Sequence, residues 1–536
     1  MMLSFSGLVT ANDACAPKSN SCMPTARAYK SFASNDVAAC CAACQSDAAL
    51  CMAYTVNHDR TTCFLHPASD APLAQGHCTS GIVRSPTPRK PPAGAKNVLW
   101  LVADDMRPNL NKAYGQSYMV TPALDAFAKT ALTFDRAFTN VAICSASRNS
   151  FMSGRVPDKT RTWNFINHFR QAGLSAKGGS VGANWVTLPQ LFKNFNYTVL
   201  GHGKMYHPNK PPGNDPLSWT DEQEYVKLTT TGCPRDTHSE AQRFCPGVGK
   251  QGRTDDAAFS DFNTTESALH TLRTFATASI AASKPFMIAL GLHFPHQPWA
   301  VPEWAADTYD ASALRVAAHQ DAPIGAPGIA FTAELDGGRG LALDESNPLV
   351  GKSKPANASG KLTYFDCPSP GVNNVPHWFQ RQLRQGYYSA VTHTDRLFGK
   401  VLGVLDDLGV TPTTLVVVHS DHGWQLGEHG EWGKHTNWEQ ALRVPLLIRA
   451  PWAAASSAGR HTHSYTELID LYRTIASLAG LPDESIASDV DGTNVAALLE
   501  VPATSLKEEA YAQVDARPPP LHRHRHRMCS ARNLAC

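Results

Sequence analysis

The sequence predicts an α/β protein: a mostly parallel sheet with helices on both faces, preceded by a small disulfide-rich domain. Three observations carry that reading. Continuous apolar runs of strand length, NVLWLVADD at 97–105, PFMIALGLH at 285–293 and LVVVHSDHG at 415–423, are too uniformly apolar for strands with one wet face and belong in a sheet covered on both sides. Stretches of helical periodicity separate them, the alternation that produces parallel sheets. Of the 14 cysteines, Cys15, Cys22, Cys40, Cys41, Cys44, Cys51, Cys63 and Cys78 crowd the first eighty residues.

In chain order, Met1–Ala14 holds a modest apolar stretch, Leu3–Val9, with no basic residues ahead of it, a weak form of a secretory signal. Residues 15–80 are expected to fold as the cysteine-rich module. A unit of that size lacks the apolar area for a self-sufficient core, so its cysteines read as disulfides formed in an oxidising compartment. The expected location is therefore the secretory pathway, extracellular or lysosome-like. Residues 81–96 end in SPTPRKPPAGAK, whose prolines mark an extended linker and a domain boundary.

From Asn97 the texture changes. The 97–105 run ends in two carboxylates, and the 415–423 run repeats the pattern with Asp421 and His422. Before it, Leu397, Val401, Val404, Leu405 and Leu408 recur at helical spacing and Gly409 is the stop. VPLLIRAP beyond Arg443 reads as a further strand, and YTELIDLYRTIASLAGLP as an amphipathic helix. The regions of about 210–280 and 305–380, rich in Gly, Pro and polar residues, are expected as excursions over one face. The end, 516–536 with HRHRHR, is low-complexity and expected to be disordered.

Charge excludes some functions. The formal net charge is +2 and no long basic face precedes the C-terminus, which argues against nucleic acid as a partner. No run approaches the ~18 apolar residues of a transmembrane helix. Asn196, Asn263 and Asn357 begin possible glycosylation triplets.

Candidate chemistry lies where strands end, because open sheets of this kind bind ligands beyond their carboxyl edge. Asp104, Asp105, Asp421 and His422 suit a hard divalent cation, the histidine being an unusual member of a purely calcium set. Cys144 opens a helix-like stretch with Arg148 four residues on; at a helix N-terminus its thiol is expected to have a lowered pKa and to face an oxyanion.

CSASR, inside CSASRNSFMSGRVPDKTR, resembles the sulfatase signature, with Ala146 where most members of that family carry proline. GKMYH at 203–207, HFPHQP at 293–298 and GEWGK at 430–434 resemble further family segments. SDHGWQLGEHGEWGKHTNWEQALRVPL and GRVPDKTRTWNF are most similar to the iduronate-2-sulfatase branch, as is histidine at 422, and CCAACQSDAALCMAY with TTCFL resembles a PAN/apple-type module. The resemblance implies an alkaline-phosphatase-like fold, with a catalytic domain over 97–450 and a smaller C-terminal subdomain over 451–515. It implies that Cys144 is converted to formylglycine by a formylglycine-generating enzyme. It further implies Ca²⁺ at Asp104, Asp105, Asp421 and His422, with Mg²⁺ as the alternative. The hydrated aldehyde would attack sulfur, with Arg148, Lys204 and Lys434 clamping the sulfate. His296, together with Lys434, would protonate the leaving alcohol, and His207 would release the sulfate. Trp424, beside the metal ligands, is expected as a sugar-stacking wall. The implied substrate is a sulfated carbohydrate or small sulfate ester, and the N-terminal module would bind carbohydrate or protein. Two other readings stand beside this one, a phosphonate or phosphate monoester hydrolase on the same scaffold and an inactive binding homologue.

Overall fold

The computed structural model describes the chain from 96 to 513 apart from 171–180, 221–243, 247–258, 332–341, 344–361, 364–376 and a few single positions. Before 96 it describes the backbone of short strands, Lys18–Ser19, Lys30–Ala33, Ala53–Val56, Thr62–His66 and Thr79–Ile82, paired antiparallel in one sheet. The disulfides expected of 15–80, the PAN/apple-like character, most of the 81–96 linker and the tail from 516 lie outside the described residues.

The dominant element is a seven-stranded sheet. Its strands are β1 (Asn97–Asp104), β2 (Leu132–Phe134), β3 (Thr198–Gly203), β4 (Phe286–Pro295), β5 (Thr414–Ser420), β6 (Leu446–Arg449) and β7 (Arg460–Thr462), in the order β7-β2-β6-β5-β1-β4-β3. Only β6 runs against the others, pairing antiparallel with β5 and β2. It returns from β5 through a short hairpin and one helical turn, Glu439–Leu442, with no long crossover helix, which is the connection that antiparallel pairing permits.

The apolar run of β1 divides by alternation between two cores. Leu99, Leu101 and Ala103 face one layer, where α2 (Ser260–Ala281) contributes Leu269 and Leu272 and α3 (His377–Asp407) contributes Leu397, Val401 and Leu405. Val98, Trp100 and Val102 face the other, with Phe151 and Met152 of α1 (Cys144–Ser153) and Leu471 and Ile475 of α4 (Leu471–Leu478). Burial on both faces explains why the strand is apolar throughout. Gly409, at φ 64°, follows α3 as expected. The stretch beyond 450 contributes edge strand β7 and packs α4 onto the sheet.

The excursion expected over 210–280 is shorter than the sequence suggests. Helix α2 already begins at Ser260, its apolar positions Ala268, Leu269, Leu272 and Ala276 masked by intervening Thr and Ser. Asn196 and Asn263 are exposed, and Asn357 is outside the described residues.

His419 in the middle of the sheet is a core histidine whose hydrogen bonds select one tautomer. Trp100 Nε1 donates to its Nε2 at 2.8 Å, and its Nδ1 lies 2.8 Å from the Ser420 carbonyl. Nδ1 therefore carries the proton and both nitrogens are satisfied only in the neutral ring. Burial pushes its pKa from 6.5 down to about 3. A folded value below the unfolded one gives stability that is complete above pH 6.5 and lost as pH falls toward 3. His419→Gln removes this contribution, so its thermal midpoint should fall less steeply than the parent's between pH 6.5 and about 4. Parallel slopes in a series of melting curves would contradict the assignment.

Candidate active site

The site is assembled where β1, β3, β4 and β5 end. Asp104 closes β1 and Asp105 follows in a left-handed conformation, φ 67°, which costs about 1–2 kcal/mol for a non-glycine residue. The turn is held from two sides: Asp105 N–H donates to Asp421 Oδ1 at 3.1 Å, and Tyr387 Oη donates to the Asp105 carbonyl at 2.8 Å. Such strain at a strand end sets the direction of the carboxylate.

Lys204 immediately follows β3. It reaches the site because two glycines, paired in register, let the end of β3 approach the backbone of β4 closely. A Cβ on Gly203 would meet the Gly291 carbonyl at 2.1 Å, and one on Gly291 would meet the Lys204 carbonyl at 2.2 Å. Lys204 N–H donates to Gly291 O at 2.7 Å, and the β4–β1 register shifts between Gly291 and Pro295, which frees the end of β4 to carry His293 and His296 inward. Lys434 comes from the loop after β5, beyond a short hairpin formed by Gln425–Leu426 and Trp432–Gly433.

Cys144 is the first residue of α1 and its sulfur is the meeting point. Lys434 Nζ lies 3.0 Å from Sγ, His422 Nε2 3.3 Å and Lys204 Nζ 3.8 Å. Lys434 also pairs with Asp105 Oδ1 at 2.6 Å, and Lys204 pairs with Asp104 Oδ2. Arg148, one turn along α1, donates through Nε to Asp421 Oδ2 at 2.9 Å, sets Nη2 3.5 Å from Asp104 Oδ1 and donates to the Lys204 carbonyl. Ser147 Oγ donates to the Asp421 carbonyl at 2.6 Å, tying α1 to the end of β5. His207 stands beside the Phe165 ring, centroids 4.9 Å apart.

Asp104, Asp105, Cys144 and His422 each offer a ligand atom within 4.8 Å of the others. Asp421 is engaged differently, its Oδ1 accepting from the Asp105 and His422 amides and its Oδ2 from Arg148. Its Oδ2 lies 3.5 Å from His422 Nε2. The group suits a divalent cation on two grounds. Asp104 Oδ1 and Asp105 Oδ2 are buried without a hydrogen-bond partner. The Asp105 carboxyl is held well above the ordinary range, because burial, Asp104 and the sulfur outweigh Lys434 and His422. Positive charge is what it lacks. Asp104 falls well below the usual range, since Lys204, Arg148 and Lys434 together overcome its burial.

Two expectations are corrected. The Cys144 thiol is not activated by its helix terminus: complete burial, with Asp104 and Asp421 close by, pushes it up to about 12 against the pull of Lys204 and Lys434. Trp424 is not a sugar-stacking wall. It is 2 % exposed, packed edge-on against Trp299 in the apolar core, with Lys434 Nζ 5.5 Å from its ring centroid. Its ring faces the lysine ammonium as a cation–π partner. The other expected residues, Asp104, Asp105, Cys144, Arg148, Lys204, His296, Asp421, His422 and Lys434, are brought together by direct contacts, and His207 stands within the influence of Lys204 and Asp104. His293, at the end of the 285–293 run, also faces this group, and the H-x-x-H spacing in HFPHQP is the sequence signal for it. The pairing of Gly203 with Gly291 had none.

Asp421 holds Arg148 and two backbone amides, so Asp421→Asn leaves the guanidinium half paired in a dry site. It should lose about 3–5 kcal/mol in chemical denaturation, as when one partner of a buried ion pair is removed. An unchanged midpoint would show that Arg148 does not depend on it.

Comparison with known proteins agrees with this geometry. Residues 96–481 match the family model described as Sulfatase. Iduronate 2-sulfatase of Mus musculus is 31% identical over 418 residues, covering 72% of this chain and 69% of the relative; that of Homo sapiens is 30% identical over 419 residues with the same coverage. A structure solved in complex with its substrate D-glucosamine-2-N,6-O-disulfate superposes with TM-score 0.55 at 19% identity, covering 77% of this chain and 81% of that one. The phosphonate monoester hydrolase of Agrobacterium radiobacter gives 0.52 at 19%, covering 78% and 79%. At such identities the structures speak for the alkaline-phosphatase-like sulfatase fold. With the family match running through every strand of the sheet and through the whole charged cluster around Cys144, the chain belongs to the sulfatase family of enzymes.

Proposed function

We propose that the protein removes sulfate from a sulfated carbohydrate of the uronate-containing class, with formylglycine at position 144 and a divalent cation, Ca²⁺ before Mg²⁺, among Asp104, Asp105, Asp421 and His422. The observation that carries the reading is the placement of Cys144 Sγ between two ammonium groups, 3.0 Å from Lys434 and 3.8 Å from Lys204, at the mouth of a carboxylate pair. A thiol held near 12 is a poor nucleophile at neutral pH, whereas an aldehyde hydrate at the same position needs no thiolate. Iduronate 2-sulfatase relatives at 30 and 31% identity support the sugar class.

The buried side-chain charges balance one another, so the excess positive charge that draws in an anionic ester would come from the cation. Asp104, Asp105 and Asp421 face Arg148, Lys204 and Lys434, three against three when all are ionised. A divalent ion there would supply positive charge for the sulfate oxygens and make the hydrate at 144 more acidic. Lys204 and Lys434 would hold the sulfate oxygens against that position, in a site dry enough for such contacts to count fully. Arg148, expected to clamp the sulfate with them, is fully buried and paired with Asp421 and Asp104, so it would act by position. His207 is pushed down to about 3 by burial and by Lys204 and is neutral in the free protein; the negative charge of the bound sulfate would oppose that effect and favour its taking the proton whose loss releases sulfate. His296 is held well below its ordinary value by burial, Lys434 and Lys204 in the free protein; the ester's negative charge opposes that effect and favours loading it with the proton the leaving alcohol needs. The expected setting is the secretory pathway, with the N-terminal module engaging carbohydrate or protein.

Mass analysis of the peptide spanning position 144 should find an aldehyde that reacts with hydrazides, and Cys144→Ala should reduce sulfate release to background. Full activity with an unmodified thiol would defeat the mechanism. Hydrolysis of a phosphonate monoester faster than of a sulfate ester would favour the other reaction this scaffold supports.

Removing divalent ions with a chelator should abolish turnover of a small sulfate ester, and Ca²⁺ should restore it. Activity that survives exhaustive chelation would dismiss the metal.

A further inference from the structure

We infer that the end of β4 forms a second cation site, in which Asp104, His293 and His296 take a borderline divalent ion of the zinc class and, when filled, withdraw His296 from the reaction. The three residues each offer a ligand atom within 4.8 Å of the others, and Asp104 is common to this group and to the one around Cys144. The donor set differs in kind. Two imidazoles and one carboxylate are what Zn²⁺ selects, while the oxygen-rich neighbour suits Ca²⁺ or Mg²⁺.

An independent feature points to a ligand. His296 Nδ1 sits 2.5 Å from the Gln297 carbonyl, which makes Nδ1 the protonated nitrogen and turns the Nε2 lone pair toward the carboxylates, 4.0 Å from Asp105 Oδ2. Ligating histidines usually donate the other ring N–H to a carbonyl in this way, which fixes tautomer and orientation. The His293 ring lies beside it, centroids 4.7 Å apart. The strand end carrying both rings is pinned by Asp261, whose carboxylate accepts from the His293 amide at 2.9 Å and the Phe294 amide at 2.7 Å. Asp104 presents a buried Oδ1 with no hydrogen-bond partner, while its Oδ2 is engaged by Lys204. The unpartnered Oδ1 is thus the oxygen that Asp104 can turn to an ion, and Lys204 would have to yield Oδ2 before the carboxylate could serve two ions at once.

The inhibitory consequence rests on the assignment of His296 to the leaving alcohol; the binding does not. The full chain, saturated with Ca²⁺, is titrated with Zn²⁺ against a chromophoric chelator and compared with His293→Gln. The parent should take up one more equivalent of zinc than the variant. Zinc should also suppress hydrolysis of a small sulfate ester in the parent over the same concentration range, and the variant should need at least about tenfold more. Histidines elsewhere, those of the tail included, contribute equally to both proteins and cancel. Co²⁺ gives a second reading, a visible absorption band present in the parent and lost in His293→Gln. Equal zinc uptake together with identical cobalt spectra would overturn the site. Lost uptake with zinc inhibition unchanged would keep the site and refute its effect on His296. Should no sulfate ester be turned over at all, the zinc and cobalt differences still decide the binding, and the failure falls on the catalytic reading alone.

Discussion

Much of this fold is arranged around three carboxylates held together out of water. Asp104, Asp105 and Asp421 are at most 1 % exposed, and like charges at such distances are untenable in a protein interior without compensation. Arg148, Lys204 and Lys434 supply it, each from a different element: α1, the end of β3 and the loop after β5. Because the countercharges come from so far apart in sequence, the site is also a tie between elements. Removing one member leaves a buried charge exposed to its neighbours, so stability and chemistry draw on the same pairs.

That constraint dictates the backbone around it. The lysine that follows β3 reaches Asp104 because Gly203 and Gly291 allow the end of β3 and the backbone of β4 to approach within the space of a missing side chain. Asp105 adopts an unfavourable left-handed turn so that its carboxylate meets Lys434, and Tyr387 of α3 bonds its carbonyl to keep it there. The buried Trp424 ring lies against the Lys434 ammonium, its centroid 5.5 Å from Nζ. The shared use of Asp104 by two groups of ligand atoms follows from the same crowding, since β1 ends between β4 and β5.

Much of this was legible in the sequence. The stretches 98–103, 286–292 and 415–418 are apolar at every position because both faces of each strand are covered, and composition reports that directly. Charged and imidazole residues at the ends of those runs marked the edge where the site lies. Cys144 with Arg148 was legible as the start of a helix. Other features left no trace. Helix α2 was hidden because its buried Ala268, Leu269, Leu272 and Ala276 are interleaved with Thr and Ser, which read as loop. The direction of β6 was not encoded in VPLLIRAP, whose residues are buried in either orientation.

The sequence by itself determined which groups were available and at which strand ends they stand, because burial pattern and residue chemistry are local properties. Tertiary structure alone decided their electrostatic state. A cysteine at a helix N-terminus reads as acidic when the helix is considered alone, yet in the fold it is fully buried beside Asp104 and Asp421 and is pushed up to about 12. A tryptophan next to a ligand pair reads as a surface for sugar, yet the chain folds over it. In both cases the outcome depends on desolvation and on charges hundreds of residues away along the chain, quantities that exist only once the strands lie side by side.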